Sequence, residues 1–247
     1  MTATATPYAL LPEATQRWLV DIHSRARIAI EDALDRHGRA PGLGHAIAQA
    51  RVAFLDAELQ PVVAAVAGAG TPVDCKRGCS SCCTLKVEIT PDEVFALKAE
   101  LEATLDEASL AEAKAQALEI DTRGRGLPPG ERYLLRLFCP VLDQASGACR
   151  GHASRPAACQ GYLALDHKRC DASSRGVAAE ILSPTSAGLV RDAVMAAQII
   201  VLREAGLDQS RGELSASLGA AWADRNAERR WLAGERAFPS VPLAGAS

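Results

Sequence analysis

A mainly α-helical fold, with a loop-rich cysteine-cluster lobe and at most one or two short strands, is predicted by three observations. The hydrophobic fraction is 48% while aromatics make up only 4%, an aliphatic mixture that suits close helix packing better than large sheets. Long stretches repeat their apolar residues at helical spacing. Between them, eight cysteines fall into two groups among turn formers: Cys75, Cys79, Cys82 and Cys83 within nine residues, then Cys139, Cys149, Cys159 and Cys170. At 247 residues the chain buries a core without covalent staples. Its cysteines are therefore not needed as cross-links.

From Glu13 to about His37, Trp18, Ile22, Ala26, Ile30 and Leu34 stand four apart, which predicts an amphipathic helix ended by Gly38 and Pro41-Gly42. A second helix is predicted from about Leu43 through Ile47, Phe54 and Leu55 toward Val66, kinked or divided at Pro61. His23, His37 and His45 read as ordinary surface or core histidines. Gly68-Ala69-Gly70-Thr71-Pro72 is a loop; with no strand before it and no Lys-Ser/Thr after it, it is not a phosphate cradle. Leu85 to Ile89 alternates and predicts one short strand.

Thr90-Pro91-Asp92-Glu93 places a capping residue, a proline at the first helical position and a carboxylate three residues after the cap, which predicts a helix start. That helix runs through Val94, Leu97 and Leu101 and gives way near Asp106 to an alanine-rich one that ends before Gly124. Arg123 to Gly130 is a linker between the two cysteine regions. Gly147 and Arg155-Pro156 punctuate the second region. Helix returns over Leu189 to Ala205 and over Leu214 to about Gly234, with Trp222 and Trp231 as packing residues, and the end from Pro239 on reads as a mobile tail. The expected organisation is N-terminal helices over 1–67, a cysteine-cluster metal-binding domain over 68–175, and C-terminal helices and tail over 176–247.

The net charge of −3 arises from mixed signs along helices, so nucleic acid is not expected as a partner. No membrane partner is expected either, because the most apolar stretch, Ala193 to Leu202, is about half the length of a bilayer span. Thr2 to Tyr8 has the features of neither a signal nor a transit peptide. A cytoplasmic location is therefore expected, where thiols stay reduced. Nothing in the sequence names a protein partner.

All eight cysteines are candidate metal ligands. Adjacent Cys82 and Cys83 are poorly placed to bridge each other, and Cys75-x3-Cys79-x2-Cys82 has the spacing by which three thiolates hold a [4Fe–4S] cluster. Cys139-Pro140 matches the Cys-Pro that closes ferredoxin-type ligand sets. Zinc accepts similar spacings, and His152 and His167 lie three residues from Cys149 and Cys170. The two regions are expected to meet at one site, since a nine-residue loop cannot easily turn four sulfurs onto one ion. Eight thiols satisfy two four-ligand sites, or one site with bystanders. A radical S-adenosylmethionine barrel needs serial strand–helix units that this chain lacks, and a thiol–disulfide switch at Cys82-Cys83 lacks its strand–helix setting. No general base or nucleophile pair accompanies the cysteines, so a structural or electron-transfer role leads and catalysis stays open.

Cys75-x3-Cys79-x2-Cys82-Cys83, then Val87-Glu88-Ile89-Thr90-Pro91-Asp92-Glu93, Cys139-Pro140-Val141-Leu142, Gly147-Ala148-Cys149 and Arg155-Pro156-Ala157-Ala158-Cys159 occur in that order. Together they resemble the YkgJ-type cysteine-cluster family of zinc- or iron-chelating domains, from Cys75 to Tyr162. The resemblance implies Cys75, Cys79, Cys82, Cys83, Cys139, Cys149 and Cys159 as ligands and leaves Cys170 outside. Flagellin lysine methylases are similar in the cysteine loop, which implies, as an alternative, an iron–sulfur-dependent enzyme such as a protein methylase. Gly151-His152 and Gln160 depart from the family pattern, which bears on a shared substrate and not on the thiolates. Arg155 is read as structural rather than as a donor to cluster sulfurs.

Overall fold

Ten α-helices and two small ladders make up the described residues of the computed structural model, which describes residues 10–238. The segment Thr2 to Tyr8 and the tail from Pro239 on lie outside the described residues. The first helix, α1 (Glu13–His37), buries Leu19, Ile22, Ala26, Ile30 and Ala33, the face its four-residue spacing predicts. It packs against α2 (Leu43–Gly68) and α8 (Thr185–Glu204).

Helix α2 passes through Pro61 undivided. The physical reason is position: Pro61 and Ala57, whose carbonyl loses its partner, both lie on the solvent face, where water replaces the missing bond. Helix α8 is longer than the ten apolar residues that the sequence singles out. Its mean hydropathy of 1.4 over a window long enough to cross a bilayer meets a length-and-composition test for a span. In the fold its apolar side packs on α1 and α2, and its buried Gln198 donates to Asp92 Oδ2 at 2.7 Å.

Helix α3 (Pro91–Thr104) starts where the capping box predicts, with Glu93 Oε2 accepting from the Thr90 N–H at 3.1 Å. Asp106 caps α4 (Glu107–Gly124) by accepting from the Ser109 N–H at 2.7 Å. The predicted strand contracts to β1 (Glu88–Ile89), antiparallel to β4 (Gly212–Glu213). Where one C-terminal helix is predicted there are two, α9 (Leu214–Ala223) and α10 (Ala227–Leu232). The break follows from Asp224, whose carboxylate accepts from the Asn226 N–H at 2.8 Å and competes with the helical ladder.

Two apolar clusters fill the interior. One, from α1, α2 and α8, centres on Ile22, Leu55, Val190 and Val194. The other joins Leu43, Ile47, Val94, Leu97, Leu101, Leu202, Leu218 and Trp231, so α2, α3, α8, α9 and α10 share it. Trp231 is fully buried, its indole N–H donates to the Asp208 carbonyl at 3.0 Å, and its ring lies 5.5 Å from that of Phe95. This is the packing role expected of it. At Gly44 an added Cβ would stand 2.9 Å from the Asp92 carbonyl, so α2 approaches the start of α3 more closely than a side chain allows.

Candidate metal centre

The cysteine lobe lies beside the helices and is assembled from two stretches, 69–90 and 135–184, that are far apart in sequence. The first stretch enters through Asp74, whose N–H donates to the Ala164 carbonyl at 2.9 Å; the Ala164 N–H returns a bond to Cys75 Sγ at 3.1 Å. Gly78, at φ 86, makes the turn to Cys79. Cys82 and Cys83 sit in a single 3-10 turn, Ser81–Thr84.

Three features hold the second stretch against this turn. The Cys139 N–H donates to the Cys83 carbonyl at 2.7 Å. Arg132, buried on α5 (Pro129–Leu134), donates to the carbonyls of Thr84 at 3.4 Å and Leu137 at 3.3 Å, and so bridges the residue after Cys83 to the approach to Cys139. Strands β2 (Leu142–Asp143) and β3 (Ala148–Cys149) form an antiparallel hairpin with Leu142 opposite Cys149. At its turn Gly147 has φ 68, and a Cβ there would fall 2.5 Å from the Gly78 carbonyl. Only glycine meets both demands, so the two cysteine stretches touch glycine to glycine.

Cys159 lies on the one-turn helix α6 (Ala157–Gln160), and α6 is anchored from below. The Ala157 N–H donates to Glu93 Oε1 at 2.8 Å, while Arg51 Nη1 donates to Gln160 Oε1 at 2.8 Å and Arg51 Nη2 to the Arg155 carbonyl at 2.9 Å. Gln160 also donates to the Val52 carbonyl and to Asp56 Oδ1. Arg155 donates to Asp56 Oδ1 at 3.1 Å. Cys170 lies on α7 (His167–Ser174), which packs on the 3-10 turn and is tied to α5 by the Tyr133–Ser173 hydroxyl pair at 2.8 Å.

All eight predicted ligands are free thiols gathered in this lobe. The structure thus brings Cys139, Cys149, Cys159 and Cys170 to the Cys75–Cys83 loop. Histidine does not join them: His167 pairs through Nδ1 with Asp74, and His152 is exposed. Among the described residues, the set of three such donors lying within 4.8 Å of one another is Asp74, Asp166 and His167. Hydrogen bonds explain it, since Asp74 accepts from the His167 N–H and Asp166 caps α7. Among the described residues no three thiols lie within 4.8 Å of one another.

Burial and mutual repulsion set the thiol acidities. Burial pushes Cys139 up to about 12 and Cys170 to about 11, and raises Cys149 and Cys75. Cys159 is raised well above the usual thiol range by burial and then by the charges of Cys139, Cys82 and Cys149. Cys83 donates to Cys82, which holds Cys82 down at about 7 and drives Cys83 upward. In the metal-free protein most of these thiols keep their protons, and a bound cation reverses that balance. The donor set is all sulfur and partly dry, which fits a thiophilic metal or an iron–sulfur cluster.

Arg51, Glu93 and Arg132 hold the backbone around Cys159, Cys83 and Cys139 in place, and the sequence marks none of them for that task. Arg51 had a visible signal: it falls four residues from both Ile47 and Leu55, a charge on the apolar face of a helix. No curated protein and no solved structure matches the chain. Residues 74–176, the stretch that holds all eight cysteines, match the model of the CxxCxxCC family, described as a putative zinc- or iron-chelating domain, in agreement with the resemblance carried by the cysteine loop.

Proposed function

We propose that the cysteine lobe is a metal-binding unit whose thiolates, drawn from the eight cysteines, hold a metal centre, iron as a [4Fe–4S] cluster with zinc as the alternative, in a structural or electron-transfer role. The observation that carries this reading is the convergence of two distant cysteine stretches into one lobe with every thiol free. Residues 68–175 act as the binding unit, and the helices before and after them act as scaffold. Free thiols in this number suit a reducing compartment such as the cytoplasm.

A second reading has its own observation. A cavity of about 190 Å³, lined by Cys82, Cys170, Tyr133, Tyr162, Ser81 and Ser173, opens directly on the thiols. Such access supports a cluster-dependent enzyme, of which a protein methylase is the kind implied by the resemblance in the cysteine loop. Anaerobic purification with metal analysis and an absorption spectrum tests the primary reading. Brown protein containing iron and sulfide is expected; colourless protein with stoichiometric zinc and no iron rules out the iron assignment.

A further inference from the structure

We propose that the cavity beside Cys82 and Cys170 is a binding site for a small uncharged aromatic molecule of the size of phenol. This assignment deepens the reading in which the open cavity serves an enzyme, by naming the class of molecule admitted.

Elements remote in sequence build the walls of the cavity, and contacts between them hold it open. Ser81, Cys82 and Leu85 come from the 3-10 turn and the residue that follows it, Tyr133 from α5, and Cys170 and Ser173 from α7. Helix α7 packs on the turn, and the Tyr133–Ser173 hydroxyl pair at 2.8 Å ties it to α5. Tyr162 and Ile181 complete the lining. Their two segments are joined where the Leu165 N–H donates to the Leu182 carbonyl at 2.9 Å. The space is therefore preformed, and a guest enters it without moving a helix.

Size and chemistry then select the guest. An apolar cavity of about 150 Å³ is enough for benzene, and this one measures about 190 Å³. One ring with a small substituent fits, and a nucleoside does not. The rings of Tyr133 and Tyr162 give such a guest tilted or edge-on aromatic contacts, while Leu85 and Ile181 supply apolar wall. Apart from its two thiols the lining carries no side chain that is charged at neutral pH, so a charged ring would lose its hydration with no opposite side-chain charge in exchange. A hydroxyl substituent, by contrast, finds partners. Tyr133 and Ser173 hold two O–H groups and use one between themselves, which leaves the other to donate to the guest, and Ser81 and Tyr162 bring further hydroxyls to the same lining.

The test follows para-fluorophenol by fluorine NMR in anaerobically purified full-length protein with the metal it carries. Saturable binding is expected, and fluorobenzene should bind roughly two- to tenfold more weakly, as the loss of one hydrogen bond dictates. Para-fluorobenzoate and para-fluorobenzylammonium, similar in size and opposite in charge, should both bind more weakly than the phenol by roughly tenfold or more. Ile181→Trp, which fills the cavity from its loop wall, should abolish saturable binding, and Ser173→Ala should bring fluorophenol and fluorobenzene closer to parity. A charged ring that binds as tightly as the phenol, or fluorophenol binding unchanged by Ile181→Trp, overturns the proposal. Should a variant fail to fold, the ranking of the rings by the parent protein decides. Lack of saturable binding to protein that holds its metal overturns the cavity assignment and leaves the metal-binding reading standing. Ranked binding by protein that holds no metal upholds the cavity and contradicts the cluster-dependent enzyme.

Discussion

Arg51 and Glu93 meet 3.4 Å apart inside the protein, with side-chain exposures of 0% and 4%, and together they join α2 and α3 to the helix that carries Cys159. Removing one member of a buried pair strands the other charge, at a cost of about 3–5 kcal/mol. Glu93→Ala should therefore lower stability by that order in urea denaturation, and it should also weaken metal retention because the Ala157 N–H loses its acceptor. In a cycle with Arg51→Met, the double variant should be less destabilised than the sum of the singles.

Asp92 lies beside Glu93, fully buried, with Oδ1 unpartnered. Burial and then the Glu93 charge lift its pKa from 3.8 to about 7, against hydrogen bonding by Thr90 and the charge of Arg51. A carboxyl raised on folding binds its proton more tightly in the native state. The stability it contributes is fully present below about pH 3.8 and is lost as pH rises through about 7. Asp92→Asn should flatten that decline, narrowing the difference in unfolding free energy between pH 5 and pH 8 by on the order of 1–4 kcal/mol. An unchanged pH profile would contradict the assignment.

Gly147 is held at φ 68 with the Gly78 carbonyl where a Cβ would go. Gly147→Ala should cost roughly 1–3 kcal/mol from backbone strain alone, with more from the clash. Its effect should concentrate on metal content, since this contact joins the two cysteine stretches. Gly130→Ala, in open space at the start of α5, is the control and should leave metal content unchanged.

Between Phe138 and Cys170 the lobe has two two-residue strands, short helices and few large apolar side chains, so burial alone offsets little of an ordering cost of about 1–2 kcal/mol per residue. Metal ligation supplies on the order of 10 kcal/mol, available only when the ligands converge. Chelation, or Cys79→Ser with Cys82→Ser, should make residues 138–170 protease-sensitive while most helical circular dichroism survives in α1, α2 and α8. Equal protection in the variants and the parent would show that the thiols do not order this region.

What the sequence made legible was periodic or punctuated. The apolar spacing of Ile22, Ala26 and Ile30 located α1, and Thr90-Pro91-Asp92-Glu93 located the start of α3. The cysteine spacing identified the lobe and all eight of its thiols. Contacts between residues remote in sequence left weaker traces. Glu93 was legible as a cap through its bond to Thr90, but its second oxygen serves Ala157, 64 residues on. Arg132 left no sequence signal, because nothing local marks the carbonyls of Thr84 and Leu137 as its partners. Asp224 turned the predicted last helix into two through a bond spanning only two residues, a competition that hydrophobic periodicity does not register.

X-ray absorption at the metal edge of the anaerobically purified protein tests the central claim most directly, because it reads the atoms bound to the metal. A first shell made only of sulfur, with a metal–metal distance beyond it, is the predicted result for a thiolate-held iron–sulfur centre. A first shell of nitrogen and oxygen would place the metal away from the cysteines and contradict the account.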